Sequence, residues 1–323
     1  MNTNAPSESS ASALDIVVLA GGISHERDVS LRSGRRIADA LTSAGHTVRL
    51  VDPDASLFSR LAQHRPDVIW PALHGTTGED GALLSLLETT GIPFIGARGD
   101  DASLAWLKPV AKALIRRAGY ATPDSITLGR ETFRDLGAAD VLERVAAALT
   151  FPVVVKPSQG GSAQGVSIVQ EPSELPRAMV EAYSYSDTAL VERHVTGTEV
   201  AVAVVDDGNG AHALPAVEIE PLSGVYSFDA RYNAGETLFY SPARLTDEVA
   251  RRVADTAVAI HDLLHLRQLS RIDLIVDAEG TPWFLEANVL PGMTETSLVP
   301  QAIEAAGLTL PGLYSALAIQ AAR

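Results

Sequence analysis

The stretch RIDLIVDAEGTPWFLEAN, residues 271–288, carries two acids where a strand interior disfavours charge. Asp273 interrupts Ile-Asp-Leu-Ile-Val, and Glu286 interrupts Trp-Phe-Leu-Glu-Ala. With Glu279-Gly280 as a two-residue hairpin turn, Asp273 faces Glu286 and Arg271 faces Asn288. Side chains on one face of a strand recur every second residue, so the four groups share a face in two adjacent cross-strand pairs. Like charges directly opposite each other are destabilising. At ~4–5 Å in a partly buried site the repulsion reaches a few kcal/mol. A divalent cation reverses that sign. Two carboxylates and an amide oxygen are hard ligands suited to Mg²⁺, which keeps several waters and borrows phosphate oxygens. A solvated edge with an Arg271–Asp273 ion pair is the competing reading.

A second group able to do chemistry lies in VVVKPSQGGSAQGVSIV, residues 153–169. Lys156 ends an apolar strand, and the loop behind it holds Gly160, Gly161, Ser162 and Gly165. Glycines let backbone N–H groups approach an anion closely, and a lysine supplies a point charge for a phosphate. A P-loop is excluded, because there the lysine follows the glycines and opens a helix. No G-x-G-x-x-G follows the first strand, so a dinucleotide fold is disfavoured. A third candidate is Glu26, just beyond the Gly21-Gly22 turn, the usual ligand position in an open α/β sheet. His74 precedes Gly75, and Ser297 stands where a helix N-terminus would bind a carboxylate.

The elements that must position these groups follow from pattern. LDIVVLAGG reads as a buried strand, and a helix is expected from about Ser30 to Ala44. HTVRLVD, PDVIWPAL and IPFIG read as three further strands, with a short helix in GALLSLLETTG. Strands alternating with helices imply a parallel sheet, so residues 14–103 are expected to form an open α/β domain behind a disordered tail, 1–13. Residues 104–194 read as a smaller α+β unit. Its helix begins at Pro109 and ends at Gly119, and strands at FPVVVKP, GVSIV and TALVERHV surround a helix near SELPRAMVEAYS. Residues 195–323 hold strands at EVAVAVV and ALPAVEIEP and a long loop through 222–241. A helix from Thr246, with a Val249-Val253-Ala257-Ile260-Leu264 stripe, then leads to the acidic hairpin.

Bulk properties narrow the function. The 323 residues are 46% hydrophobic and 20% charged, which is globular composition. There is no Cys, which excludes disulfides, thiolate catalysis and Cys-ligated metal. A net charge of −15 argues against nucleic-acid binding, so an anionic substrate must be held by local cations. The N-terminal residues lack the basic and apolar regions of a signal peptide, and no apolar run approaches a membrane span. A cytoplasmic protein without a membrane partner is expected.

Taken in order, the Lys156 loop, an acid pair after LVERHV and the RID, LEAN and PGM segments resemble the D-alanine–D-alanine ligase family of the ATP-grasp superfamily. GGISHERDVSLRSG, LHGTTGEDG, YATP, FDARY, PARL and EANVLPGMTETSLVP match further family signatures, and the likeness runs from about residue 15 to 320. The resemblance implies an ATP-grasp fold behind an N-terminal open parallel α/β domain. It implies ATP-dependent joining of two D-alanines through an acyl phosphate, for peptidoglycan precursors. Lys112 and Lys156 would contact the nucleotide, Glu192, Arg193 and Val195 would line the adenine slot, and Glu199 would hold the ribose. Arg231 stands on the nucleotide side, where the family has Lys. Asp273, Glu286 and Asn288 would ligate two Mg²⁺ ions, or Mn²⁺ in their place. Glu26 would bind the first D-alanine's ammonium and, with Ser162 and Tyr232, form a hydrogen-bonded set. His74 would sit beside the first substrate, and Ser297 with the Leu298 backbone would hold the second substrate's carboxylate. Arg271 and the Gly292 N–H would form the oxyanion hole. Loops 160–165 and 222–241 would act as lids, and family members are often homodimers.

This chain departs from the family at Ala163, Gln164, Arg231 and Val289, which bears on the acceptor. A ligase for other amino acids and a catalytically silent nucleotide-binding protein are the alternatives.

Overall fold

The computed structural model describes residues 13–224, 226, 230, 231, 233 and 235–323. Tyr232, one of the expected site residues, lies outside the described residues.

The DIVVL run forms β1 (Asp15–Leu19), which pairs in parallel with β2 (Thr47–Val51) and β3 (Val68–Pro71). Gly21 ends this strand at φ +114°, and a Cβ there would fall 2.4 Å from Asp52 Oδ1, so only glycine fits. The crossover helix α1 spans Arg27–Ser43, one turn earlier than expected. Ser30 lies inside it, and its hydroxyl accepts from Gly21 N at 2.8 Å and donates to Ala72 O at 2.6 Å, tying the helix to two strand ends. The expected fourth strand, IPFIG, shrinks to one parallel bridge between Ile69 and Phe94. Left-handed glycines at 91 and 96 confine it to four residues, and Pro93 offers no N–H.

A second sheet is antiparallel: β4 (Ser125–Gly129), β7 (Thr188–Arg193), β5 (Val153–Pro157) and β6 (Ser167–Val169), in that spatial order. Met179, from the helix Leu175–Tyr183, and Val145, from the helix Ala138–Ala148, pack on Val153, Val155 and Val191. The third sheet runs β11 (Thr237–Tyr240), β10 (Val217–Pro221), β8 (Thr198–Val205), β12 (Leu269–Val276) and β13 (Pro282–Asn288), with β9 (His212–Ala213) also on β8. Strand β11 occupies the end of the segment expected to be loop, because Thr237–Tyr240 pairs with Glu218–Pro221.

The packing of strand β8 explains why its sequence is apolar from Val200 onward. Val200, Val202 and Val204 face the helix Asp247–Leu263, while Ala201, Ala203 and Val205 face the helices Leu298–Ala305 and Leu310–Ala321. Thr246 caps the first of these helices, accepting from Val249 N. No single helix among the described residues is long and apolar enough to cross a membrane.

The hairpin β12–β13 pairs Asp273 with Glu286 and Arg271 with Asn288, as the spacing predicts. The route differs from the expected two-residue turn. The turn is wider: Asp277 N donates to Thr281 O at 3.2 Å. The Asp277 carboxylate accepts Thr281 N at 2.8 Å, Glu279 N at 3.1 Å and Trp283 Nε1 at 2.7 Å. The register therefore starts one residue out, with Leu274 opposite Phe284, and an irregularity between Asp273 and Leu274 restores it. Leu285 is the extra residue of that bulge.

Candidate active site

Two contiguous cavities lie where the three sheets meet. The larger, about 360 Å³, opens between the second and third sheets, within the range for small-molecule sites. The smaller, about 90 Å³, lies against the N-terminal α/β unit. Gly161, Tyr226, Arg231 and Glu286 line both, so they form the shared wall.

The smaller cavity is built by loops that β1 and β3 deliver. Ser162 donates a hydrogen bond to Glu26 Oε1, joining the Gly loop to the N-terminal unit. Ser162 and Ala163 both sit at positive φ, 53° and 55°, so the loop holds non-glycine residues in a left-handed conformation. His74 is buried with both ring nitrogens engaged. Leu290 O, 3.0 Å from Nδ1, can only accept, so Nδ1 carries the proton and Nε2 takes the Ser33 hydroxyl at 3.1 Å. Ser33 Oγ in turn accepts Met293 N at 3.0 Å. Burial pushes the His74 pKa down to about 4, so the ring is neutral at pH 7 and fixes the PGM loop against α1. A Cβ on Gly292 would come 2.9 Å from Ser297 Oγ, so a larger residue there would push that hydroxyl aside. Ser297 starts the helix Leu298–Ala305, and its Oγ accepts Thr294 N at 2.9 Å.

Glu79 also lines this cavity, and sequence reasoning left it inside the GEDG signature without a role. Its Oε2 accepts Gly75 N at 3.1 Å. Burial, and then the nearby Glu26 charge, push its carboxyl up to about 8 from the ordinary 4.5. The folded chain therefore keeps a proton that the unfolded chain releases above about pH 4.5. Stability from this group is intact below that pH and is lost as pH rises toward 8. Glu79→Gln keeps an acceptor for Gly75 and removes the loss. The ligand-free variant is expected to melt on the order of 10 °C above wild type at pH 8 and level with it near pH 4.5. Parallel melting curves across that pH range would contradict this.

The hairpin acids are compensated by the chain's own cations. Arg271 donates Nε and Nη2 to the two oxygens of Asp273, both at 2.7 Å. Burial alone would lower the Arg271 pKa, but Asp273 raises it. Asn288 Nδ2 donates to Asp273 Oδ2 at 3.2 Å. Glu286 Oε2 lies 3.0 Å from Lys108 Nζ. Burial would raise the Glu286 pKa, yet Lys108, Lys156 and Arg231 hold it well below the usual carboxylate range. The expected ion pair thus exists, but in a buried wall and not on a solvated edge. Arg271 lines the smaller cavity and Asp273 the larger, so the pair points to both. Among the described residues no three His, Asp or Glu side chains converge as a metal site, so any cation relies on two carboxylates, the Asn288 oxygen and oxygens from elsewhere.

In the larger cavity, Glu192 lies between two lysines: Lys156 Nζ at 2.5 Å and Lys112 Nζ at 2.8 Å. Burial would raise the Glu192 pKa, and the two lysines lower it. Lys156, Arg193, Val195 and Glu199 line the cavity with Glu192, whereas Lys112 does not. Lys112 is 1% exposed and also donates to Thr122 Oγ1 at 2.9 Å and Phe284 O at 3.1 Å. Its ammonium is used up behind Glu192, and burial lowers its pKa to about 8. Arg193 stacks 4.8 Å from the Trp283 ring, and Arg231 4.2 Å from the Tyr226 ring. Glu199 is pushed up to about 7 by burial, with Asp273 and Glu286 adding to the shift and Arg231 opposing it. Lys108, absent from the sequence-based set, occupies the wall where a phosphate-facing lysine was expected. Its signal was the four-residue spacing to Lys112 on one helix, Lys108–Arg117.

Comparison with known proteins agrees with this geometry. Residues 114–319 match the family model described as D-ala D-ala ligase C-terminus. The D-alanine–D-alanine ligase of Anaeromyxobacter sp. (strain K) is 42% identical over 298 residues, covering 92% of this chain and 94% of that one. The VanG D-Ala:D-Ser ligase from Enterococcus faecalis superposes with a TM-score of 0.80 at 26% identity, covering 95% and 98%. The Bacillus anthracis D-alanine–D-alanine ligase complexed with ATP gives 0.76 at 27%, covering 96% and 97%. The fold is the ATP-grasp arrangement behind a parallel α/β unit. With the same order of motifs, the same fold and near full-length coverage in both directions, this chain belongs to the D-alanine–D-alanine ligase family of ATP-dependent ligases.

Proposed function

We propose that this chain joins two D-alanines with ATP, giving D-alanyl-D-alanine, ADP and phosphate, in the cytoplasm. The observation that carries the reading is the pair of contiguous cavities sharing Gly161, Tyr226, Arg231 and Glu286. A nucleotide-sized space and an amino-acid-sized space meet at a wall of opposite charges, as phosphoryl transfer to a small carboxylate requires.

In this reading Glu192, Arg193 and Val195 hold the base, with Lys112 fixing Glu192 from behind. Glu199 takes the ribose hydroxyls, and Lys156, Arg231 and the Gly160–Gly165 amides face the phosphates. Asp273, Glu286 and the Asn288 oxygen fit two Mg²⁺ or Mn²⁺ ions by donor type, since all are hard oxygen ligands on adjacent cross-strand pairs. Such ions, when bound, neutralise charge on the transferring phosphoryl group. Glu26, fixed by Ser162, binds the first D-alanine's ammonium and leaves its carboxylate free to attack the γ-phosphate. Ser297 and the N–H groups opening the Leu298 helix hold the second carboxylate. The second amine then attacks the acyl phosphate, and Arg271 with the Gly292 N–H stabilises the oxyanion.

The test is ATP-dependent phosphate release scored with a panel of D-alanine, D-serine, D-lactate and L-amino acids, with mass detection of the product. D-alanine turnover with a dipeptide product is expected. Turnover with another acceptor alone would assign a different ligase, and ATP binding without turnover on any acceptor would leave a nucleotide-binding protein.

A further inference from the structure

The two hairpin acids are compensated in unlike ways, and the difference has a consequence for the loop. Asp273 is held by a bidentate guanidinium from its own strand, both of its oxygens engaged at 2.7 Å. A planar fork matched to a carboxylate is rigid and is not easily displaced. Glu286 has one ammonium in direct contact, on a four-carbon stem, through one oxygen at 3.0 Å, with Lys156 and Arg231 acting on it only as nearby charges. An ammonium is a compact charge with rotatable donors and no matching fork.

The same Lys108 Nζ donates to Gly160 O at 2.7 Å, at the entry to the Gly loop. Two residues earlier in that segment, Lys108 N donates to Ser158 O at 3.1 Å. The side chain is buried, 9% exposed, and lines both the larger cavity and a gap of about 20 Å³ that reaches Glu79 and Asn288. Lys108 therefore connects three parts that must move together if a cation is to enter: the helix start, the carboxylate and the loop.

We propose that Lys108 is a displaceable counter-ion that pins Gly160 and Glu286 together and yields Glu286 when a divalent cation binds. Toward the cation it is a positioning residue, acting through Glu286 and the loop. The inference rests on the reading of Glu286 as a cation ligand. It adds that cation binding and loop release are one event, because a single ammonium makes both contacts.

The test uses the full chain without nucleotide and Mn²⁺ as the probe, followed by electron paramagnetic resonance, with hydrogen exchange at residues 160–165 as the second readout. Lys108→Met is expected to bind Mn²⁺ about tenfold more tightly than wild type and to exchange loop amides faster. Lys108→Gln keeps a donor for Gly160 but no charge, so it is expected to gain Mn²⁺ affinity while loop exchange stays near wild type. Lys108→Arg is expected to bind Mn²⁺ no more tightly than wild type. If Lys108→Met folds poorly, Lys108→Gln carries the affinity comparison, and Mn²⁺ is expected to raise its melting temperature more than that of wild type. Equal Mn²⁺ affinities for wild type, Met and Gln variants would overturn the proposal. Failure of the cation-ligand reading has its own signature: Mn²⁺ binding to wild type plus ATP that Glu286→Gln leaves unchanged.

Discussion

An Arg271→Met enzyme is expected to lose two to three orders of magnitude in kcat and to unfold with about 3–5 kcal/mol less resistance. Two separate causes add. The first is catalytic: Arg271 lines the amino-acid cavity, and removing one donor to a developing oxyanion typically costs ~3–4 kcal/mol. The second is structural: its guanidinium makes two 2.7 Å hydrogen bonds to Asp273, which is 5% exposed. Deleting it leaves a buried carboxylate with, among the described residues, only the Asn288 amide hydrogen-bonded to it. The double variant Arg271→Met/Asp273→Asn separates the causes. It is expected to regain most of the stability in urea unfolding and none of the activity. A single Arg271→Met variant as stable as wild type would remove the buried-pair argument, and one with near-normal kcat would remove the oxyanion assignment.

Lys112→Met is expected to destabilise the ligand-free protein by about 3 kcal/mol, near the lower end for breaking a buried pair. The ammonium has three partners, Thr122 Oγ1, Phe284 O and Glu192 Oε2, within 3.1 Å. Methionine fills the space and satisfies none of them. The cost stays at the lower end because Lys156 still holds Glu192 Oε1 at 2.5 Å. In activity, KM for ATP should rise about tenfold while kcat changes little, because Glu192 loses its orientation and the phosphate-facing lysine remains. A kcat collapse at unchanged KM would return Lys112 to the phosphates. Thermal melting and a steady-state ATP titration check both parts.

Lys112 also shows where reading along the chain stopped short. A lysine on an amphipathic helix beside a nucleotide site reads naturally as a phosphate contact. Its direction depends on how the helix Lys108–Arg117 rotates against β13, and that packing turns Lys112 toward Phe284 O and Lys108 toward Glu286. The same holds for Glu79. In GEDG it looks like a solvated turn acid, and only the loop after β3 folding under Gly75 buries it. The missing strand at IPFIG is a local matter in hindsight, because left-handed glycines at 91 and 96 bound a four-residue run and its proline offers no N–H.

The hairpin marks the boundary between the two kinds of information. Alternation along a strand and pairing across a turn are near-neighbour properties, so the sequence alone was enough to place Asp273, Glu286, Arg271 and Asn288 on one face. The order of motifs likewise determined the family and the overall architecture. The route was not determined. The wider turn that Asp277 stabilises shifted the register, and the Leu285 bulge shifted it back, so the expected pairing was reached through two offsetting departures. What compensates the acids was decided by tertiary structure. Arg271 is two residues from Asp273, but Lys108 is brought to Glu286 from 178 positions away by packing one helix start against one strand end. Charge balance in a buried wall depends on which cations the fold brings within a few ångströms, and distance along the chain carries almost no information about that.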